Sequence, residues 1–314
     1  MRKRLSLFAA LAALLVLSAM AARAQDAPAP AHLSKITDSV YAYVDVPAGT
    51  PGNAMCANVG VVIGRDAVLV VDTLTSAKEA GLLVENIKQI TDKPIRYVVN
   101  THYHLDHTLG NCVFKDLGAV IISQARTREA ALASGDAILQ NPAAFGFPED
   151  YWEGTRAAAA DLAFTQDLEI DLGGLTAIVQ YPGQPTHSPG NSIVRVPSEG
   201  VVFTGDILFT NFHPYLGEGD LAGWDKALDM IAALDEKTII PGHGPVSGAA
   251  DIAALKAYLP FFDANARELQ ATMDDPAAIV AEMLKRLPQL EGGDFIVGMN
   301  IQTRYMPAAA TGTQ

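Results

Sequence analysis

Short apolar runs punctuated by Gly, Pro and Asp set the rhythm of this chain. After an Ala- and Pro-rich stretch at 25–35, Val40–Val46, Val59–Ile63 and Val68–Asp72 read as strands. Gly49-Thr50-Pro51-Gly52-Asn53 separates the first two and Gly64-Arg65-Asp66 turns the second into the third, which predicts an antiparallel meander. From Ser76 to Ile90 the period changes, and Ala80, Leu83, Val84, Ile87 and Ile90 line one face of a helix that stops before Pro94. Ile95–Val99 is again a strand. It runs directly into Asn100-Thr101-His102-Tyr103-His104-Leu105-Asp106-His107-Thr108-Leu109-Gly110-Asn111.

Helical and strand signals alternate from Asp106 to about residue 133, with Ala119–Ile122 as a buried strand. Residues 135–166 fit neither period and carry Phe145, Phe147, Tyr151 and Trp152 among Pro and Gly. A second group of strands follows at Leu168–Leu172, Leu175–Gln180, Ser192–Val196 and Val201–Thr204. Helix Trp224–Leu234 and strand Thr238–Ile240 lead to Pro241-Gly242-His243-Gly244, and 249–287 is mostly helical. A strand-rich half with one or two helices thus occurs twice, with no linker between the halves. The expected architecture is one α/β domain over 36–300, an αβ/βα sandwich of two sheets with helices outside. Residues 25–35 form a flexible lead-in and 301–314 a loose tail.

Composition adds a compartment. Arg2, Lys3 and Arg4 precede the apolar run Leu5–Met20, and Ala22-Arg23-Ala24 supplies a small-x-small cleavage site. This is the layout of a secretory signal peptide over 1–24 and predicts a periplasmic or secreted product without a membrane span after cleavage. The leader holds four basic residues and no acidic one, so its removal moves the formal charge from −13 to −17. So acidic a surface gives no footing for a phosphate backbone, which excludes nucleic acid and leaves a small-molecule substrate as the expected partner. Cys56 and Cys112, the two cysteines, lack CxxC spacing; far apart in sequence, they read as two separate buried thiols rather than a disulfide.

The chemistry lies in the histidines. His102 and His104 are two apart after a strand, so in extended backbone their side chains project the same way, whereas Asp106 and His107 begin the next helix and point elsewhere. One stretch therefore offers a nitrogen pair to one metal and an oxygen–nitrogen pair to a second. This donor set suits zinc first and iron second. His187, Asp206 and His243 each sit where a predicted strand meets a loop, beside Gly or Pro, and so can converge on one sheet edge. His213 reads as a surface-loop histidine, with substrate contact as the alternative. The aromatic stretch Phe145–Trp152 either walls a pocket or packs between the halves.

The run His102-x-His104-x-Asp106-His107, followed by His187, Thr204-Gly205-Asp206 and Pro241-Gly242-His243-Gly244, resembles the metallo-β-lactamase-fold hydrolase superfamily. The resemblance runs in order from about residue 38 to 247. It implies a four-layer αβ/βα sandwich and two Zn2+ per chain: one ion on His102, His104 and His187, the other on Asp106, His107 and His243, with Asp206 bridging. It implies a bridging hydroxide as nucleophile, Asp106 as the residue that orients it and carries the proton, and Asp72 as support for a ligand histidine. Where zinc β-lactamases with a cysteine ligand carry that cysteine, this chain has Asp206; where they often carry a substrate-gripping lysine, it has Phe209. The expectation is an exported binuclear zinc hydrolase acting on an amide, lactone or ester bond, with β-lactamase-like activity within its reach. The alternatives are a glyoxalase II-like thioester hydrolase, or an iron-dependent persulfide dioxygenase or accessory protein of a sulfur or quinoprotein pathway. The only candidate basic groups for glutathione near the C-terminus are Lys285-Arg286 and Arg304.

Overall fold

The computed structural model describes residues 31–141 and 146–306. The leader expected at 1–24, Phe145 and residues 307–314 lie outside the described residues. Among the described residues, twelve strands make two sheets. The first holds β1 (Ser34–Lys35), β2 (Val40–Tyr43), β3 (Val59–Ile63), β4 (Val68–Val71), β5 (Ile95–Asn100), β6 (Val120–Gln124) and β7 (Leu162–Phe164), in that spatial order. The second holds β8 (Leu168–Asp171), β9 (Thr176–Gln180), β10 (Ile193–Val196), β11 (Val201–Phe209) and β12 (Thr238–His243), in the order β12-β11-β10-β9-β8.

The alternation of side chains along each strand explains the layering. On β4, Leu69 and Val71 pack into a core with Val179, Val194 and Phe203 of the second sheet, while Val68 and Val70 face outward. The outward face meets helix α1 (Ala77–Ile90), which buries Ala80, Leu83, Val84 and Ile87 as its spacing predicts. β11 behaves the same way: Val201 and Phe203 point to the first sheet, Val202 and Ile207 to the helices outside. Inner strands such as β3, β4 and β11 are therefore covered on both faces and read as continuous apolar runs, whereas β8 and β9 leave Glu169, Asp171 and Thr176 exposed. The outer layer on the second sheet is α5 (Leu221–Ala232), α6 (Ala249–Gln270), α7 (Pro276–Arg286) and α8 (Gly293–Asn300), on a core centred on Trp224 and Phe262. Three helices between β5 and β7 complete the set: α2 (Leu105–Thr108), α3 (Asn111–Asp116) and α4 (Ala125–Gln140).

Pairing direction changes where the site will be. β1 to β4 are antiparallel, the expected meander, whereas β4 to β7 and the pair β11–β12 run parallel. Parallel neighbours bring their C-terminal ends to one edge, the usual place for a ligand site in such sheets. Four expectations change. Ser34 and Lys35 are not lead-in but pair with Ala42 and Tyr41, closing the sheet edge. Helix α4 continues to Gln140, past the predicted limit near 133. β11 does not stop at Thr204, because its pairing with β12 survives two register shifts around Gly205 and carries both strands through Asp206 and His243. Nor is 301–306 loose: Ile301–Tyr305 forms a π-helical turn after α8 and buries Ile301 and Tyr305 in the outer core. Cys56 and Cys112 are both free and buried, as two separate thiols.

Candidate metal centre

All seven candidate ligands meet at the shared C-terminal edge, in two groups. Ligand atoms of His102, His104, His187 and Asp206 lie within 4.8 Å of one another, and so do those of Asp106, His107 and His243. In the first group His104 Nδ1 stands 3.0 Å from His102 Nε2 and 2.9 Å from His187 Nε2. In the second, Asp106 Oδ2 is 3.4 Å from His107 Nε2 and 3.2 Å from His243 Nε2. Asp206 faces both. Its Oδ2 lies 3.6 Å from His102 Nε2 and 3.3 Å from His187 Nε2, and its Oδ1 lies 3.3 Å from His107 Nε2 and 3.6 Å from His243 Nε2.

The ring nitrogens that face away from the centre are occupied. Thr101 Oγ1 sits 3.1 Å from His102 Nδ1, the carbonyl of Tyr215 2.9 Å from His187 Nδ1, and the Cys56 thiol 3.8 Å from His243 Nδ1. Asp72 Oδ2 lies 2.9 Å from His107 Nδ1 while accepting from the Thr101 hydroxyl, and Oδ1 accepts from Thr101 N–H. That is the supporting role expected for Asp72: a partner on Nδ1 fixes the ring and presents Nε2. Asp72 and Cys56, which hold His107 and His243, both take positive φ (64° and 52°), a backbone state that side chains rarely adopt outside functional sites. His104 is turned the other way, Nδ1 inward and Nε2 3.5 Å from Glu218.

Local structure makes this convergence rigid. The histidine segment is closed on itself at its two asparagines: Asn111 Nδ2 donates to Asn100 Oδ1 and Asn100 Nδ2 donates to Asn111 Oδ1 and to the His107 carbonyl. Asn191 Oδ1 accepts from the Ser188 N–H and hydroxyl and from Thr186, which fixes the turn carrying His187. Asn58 ties the two sheets together, donating from Nδ2 to the carbonyls of Pro241 and Gly244 on either side of His243. A side chain at Gly242 would run into the Asp206 carboxylate, so this glycine is required by close approach.

The donor set fits cations. His107 Nε2 and Asp206 Oδ1 are buried without a hydrogen-bond partner, although they face each other. Buried polar atoms left unpaired in this way call for an ion or a ligand group between them. Three carboxylates, Asp72, Asp106 and Asp206, are likewise buried within the cluster. Asp106 and Asp206 resist burial, which opposes their charge, because His107 and His243 hold both carboxyls well below the usual range.

A cavity of about 530 Å3 opens above the cluster. His213 lines it and is 1% exposed, its Nδ1 2.6 Å from the Tyr258 hydroxyl, so it is not the surface histidine the sequence suggests. The apolar residues of α6 pull its loop inward, and burial pushes its imidazole down to about 4. Of the aromatic stretch, Phe147 lines the cavity and stacks on Tyr151 at 4.2 Å, while Trp152 is buried. Phe209 also lines the cavity, its ring parallel to His243 at 5.4 Å. Sequence reasoning misses Glu218, whose Gly-Glu-Gly-Asp context carries no signal. It also misses Glu79, which accepts from Ala54 N–H and Thr75 N–H and so holds the loop leading to Cys56.

Known proteins resemble this arrangement. The metallo-beta-lactamase type 2 of Bacteroides fragilis is 23% identical over 221 residues, 69% of this chain and 80% of its own length. A hydroxyacylglutathione hydrolase of Pelagibacter ubique is 30% identical over 165 residues, half of this chain and 56% of its own length. In structure, a metallo-beta-lactamase from Pontibacter korlensis superposes with a TM-score of 0.57 at 20% identity, over 73% of this chain and 99% of its own. A model of the metallo-beta-lactamase superfamily matches residues 56–243, from the thiol beside the second histidine group to the last histidine of the cluster. The protein belongs to the metallo-beta-lactamase superfamily, with the two histidine–carboxylate groups at its centre.

Proposed function

We propose that the protein is an exported binuclear zinc hydrolase that cleaves an amide, lactone or ester bond of a small molecule. The observation that carries this reading is Asp206, whose two oxygens each face a different histidine group. One ion would be held by His102, His104 and His187 and the other by Asp106, His107 and His243, with Asp206 facing both groups. When bound, such a pair supplies a Lewis acid and lowers the pKa of a water toward neutrality. The rest falls to side chains. Asp106 lines the cavity and stays ionised, so its carboxylate accepts a hydrogen bond from the attacking water and afterwards carries a proton to the leaving group. Asp72 keeps His107 in the tautomer that presents Nε2, and the Tyr215 carbonyl does the same for His187. Export is supported by the leader pattern at 1–24.

The test is metal analysis of the purified chain with a hydrolysis panel of β-lactams, lactones, esters, thioesters, and phosphate and sulfate esters. Two zinc per chain and hydrolysis lost in both His104→Ala and Asp206→Ala are expected. One iron per chain with oxygen uptake would sink the reading.

A further inference from the structure

We propose that the cavity above the metal centre takes an uncharged, apolar ester or lactone and rejects substrates with a carboxylate beyond the scissile bond. This rests on the hydrolase reading above and adds the chemical class of the substrate. The volume of about 530 Å3 is in the range that encloses a molecule of drug size. The floor is the cluster itself, reached at His104, Asp106, Asp206 and His243. The walls come from separate segments and are apolar: Met55 before β3, Ile138 of α4, Phe147, Phe209, Phe212 and Met299 of α8. Among the described residues that line the cavity there is no lysine or arginine, and the single charged group outside the cluster is Glu218.

A carboxylate that leaves water for such a wall needs a cation or a set of donors in exchange. The wall offers no cation, and donors that line it are turned to protein partners: the Ser134 hydroxyl to the Ala130 carbonyl, the Tyr103 hydroxyl to Glu218, and His213 Nδ1 paired with the Tyr258 hydroxyl. Glu218 places a like charge beside His104, where it accepts from the Tyr103 hydroxyl. Arg304, behind the same loop, donates to the carbonyls of Leu216 and Gly219 rather than facing the cavity. Asp106 and Asp206 would offset half the charge of two divalent ions, with the Asp72 carboxylate behind them, and what remains would act at the reacting carbonyl, so the remote end of the substrate meets Glu218 and apolar groups. In the reaction one water is consumed: its oxygen forms the new bond to the acyl carbon, the acyl C–O bond breaks, and the alcohol leaves with a proton from that water.

The zinc-loaded protein can be given matched pairs: para-nitrophenyl octanoate against mono-para-nitrophenyl suberate, and benzylpenicillin methyl ester against benzylpenicillin. The uncharged member of each pair is expected to have a kcat/KM at least about tenfold higher, the discrimination typical of a missing polar partner. Equal or faster turnover of the carboxylated members overturns the proposal. Phe295, 62% exposed at the cavity rim, gives an independent arm: Phe295→Lys should narrow the ratio several-fold, and an unchanged ratio counts against charge as the selector. Calorimetric titration with octanamide and its ω-carboxylated counterpart reads binding without turnover. Tighter binding of the neutral amide supports the proposal, and equal or reversed affinity overturns it. Failure of the hydrolase reading would look different: preference for the neutral amide with no turnover of any ester or lactam.

Discussion

His102 and His187 of the first histidine group are buried as His107 and His243 of the second are, yet their surroundings push them toward opposite protonation states. In the first, burial dominates: it pushes His187 down to about 3 against the pull of Asp206, and His102 well below its ordinary value. In the second, burial again opposes the charge, but Asp106, Asp206 and Asp72 hold His107 well above its ordinary value, and Asp206 and Asp106 lift His243 to about 10. Carboxylate placement, not depth, decides the difference. Of the first group, the rings of His102 and His187 are held neutral and present free lone pairs. Those of the second carry protons where a cation would sit, so metal uptake there must release them. The stability of the metal-free protein follows with opposite signs. His107 and His243, with raised values, stabilise it fully below about 6.5, and this is lost as pH rises through those raised values, about 10 for His243. The depressed values of His102 and His187 cost stability as pH falls below about 6.5, in the case of His187 down to about 3.

The comparison can be broken most severely at the residue both groups share. Asp206→Ala should abolish two-ion binding and lower kcat/KM by about 10²–10³ or more, as loss of a central electrostatic group does, checked by metal analysis and turnover. Asp72→Asn acts on one side alone, because it withdraws the anion from His107 Nδ1. The second ion should bind about 10–100-fold more weakly while the first is retained, read by competition with a chelator. A pH series between 6 and 8 sharpens the contrast. Apparent affinity of the second ion should rise about tenfold per pH unit for each proton displaced, and that of the first much less. The smallest effect is expected for Cys56→Ala. Its thiol is 3.8 Å from His243 Nδ1, a weak contact, so second-ion affinity should stay within about tenfold of the wild type in the same titration.

Much of the centre was legible because its ligands are local or marked. His102 to His107 form one segment, and the other three ligands sit close to Gly or Pro near the ends of strands whose apolar runs are plain. The layers were legible for the same reason: short continuous apolar runs, buried on both faces, admit few architectures. What escaped depends on contacts that no local pattern encodes. Thr204-Gly205 looks like the end of a strand, and only pairing with β12 keeps β11 extended through Asp206. His213 looks exposed until α6 covers it, and Glu218 acquires meaning from His104, 114 positions earlier in the chain. The cavity wall, assembled from separate apolar segments, was hidden for that reason, although Phe209 at the end of β11 is one part of it that the sequence shows.

The most direct test is a calorimetric zinc titration of the metal-free protein in two buffers of different ionisation enthalpy, which reads stoichiometry and proton release together. Two binding steps are predicted, with proton release concentrated in the second, at His107 and His243. Saturation at one ion per chain, or protons released only in the first step, would contradict a two-ion centre divided in this way.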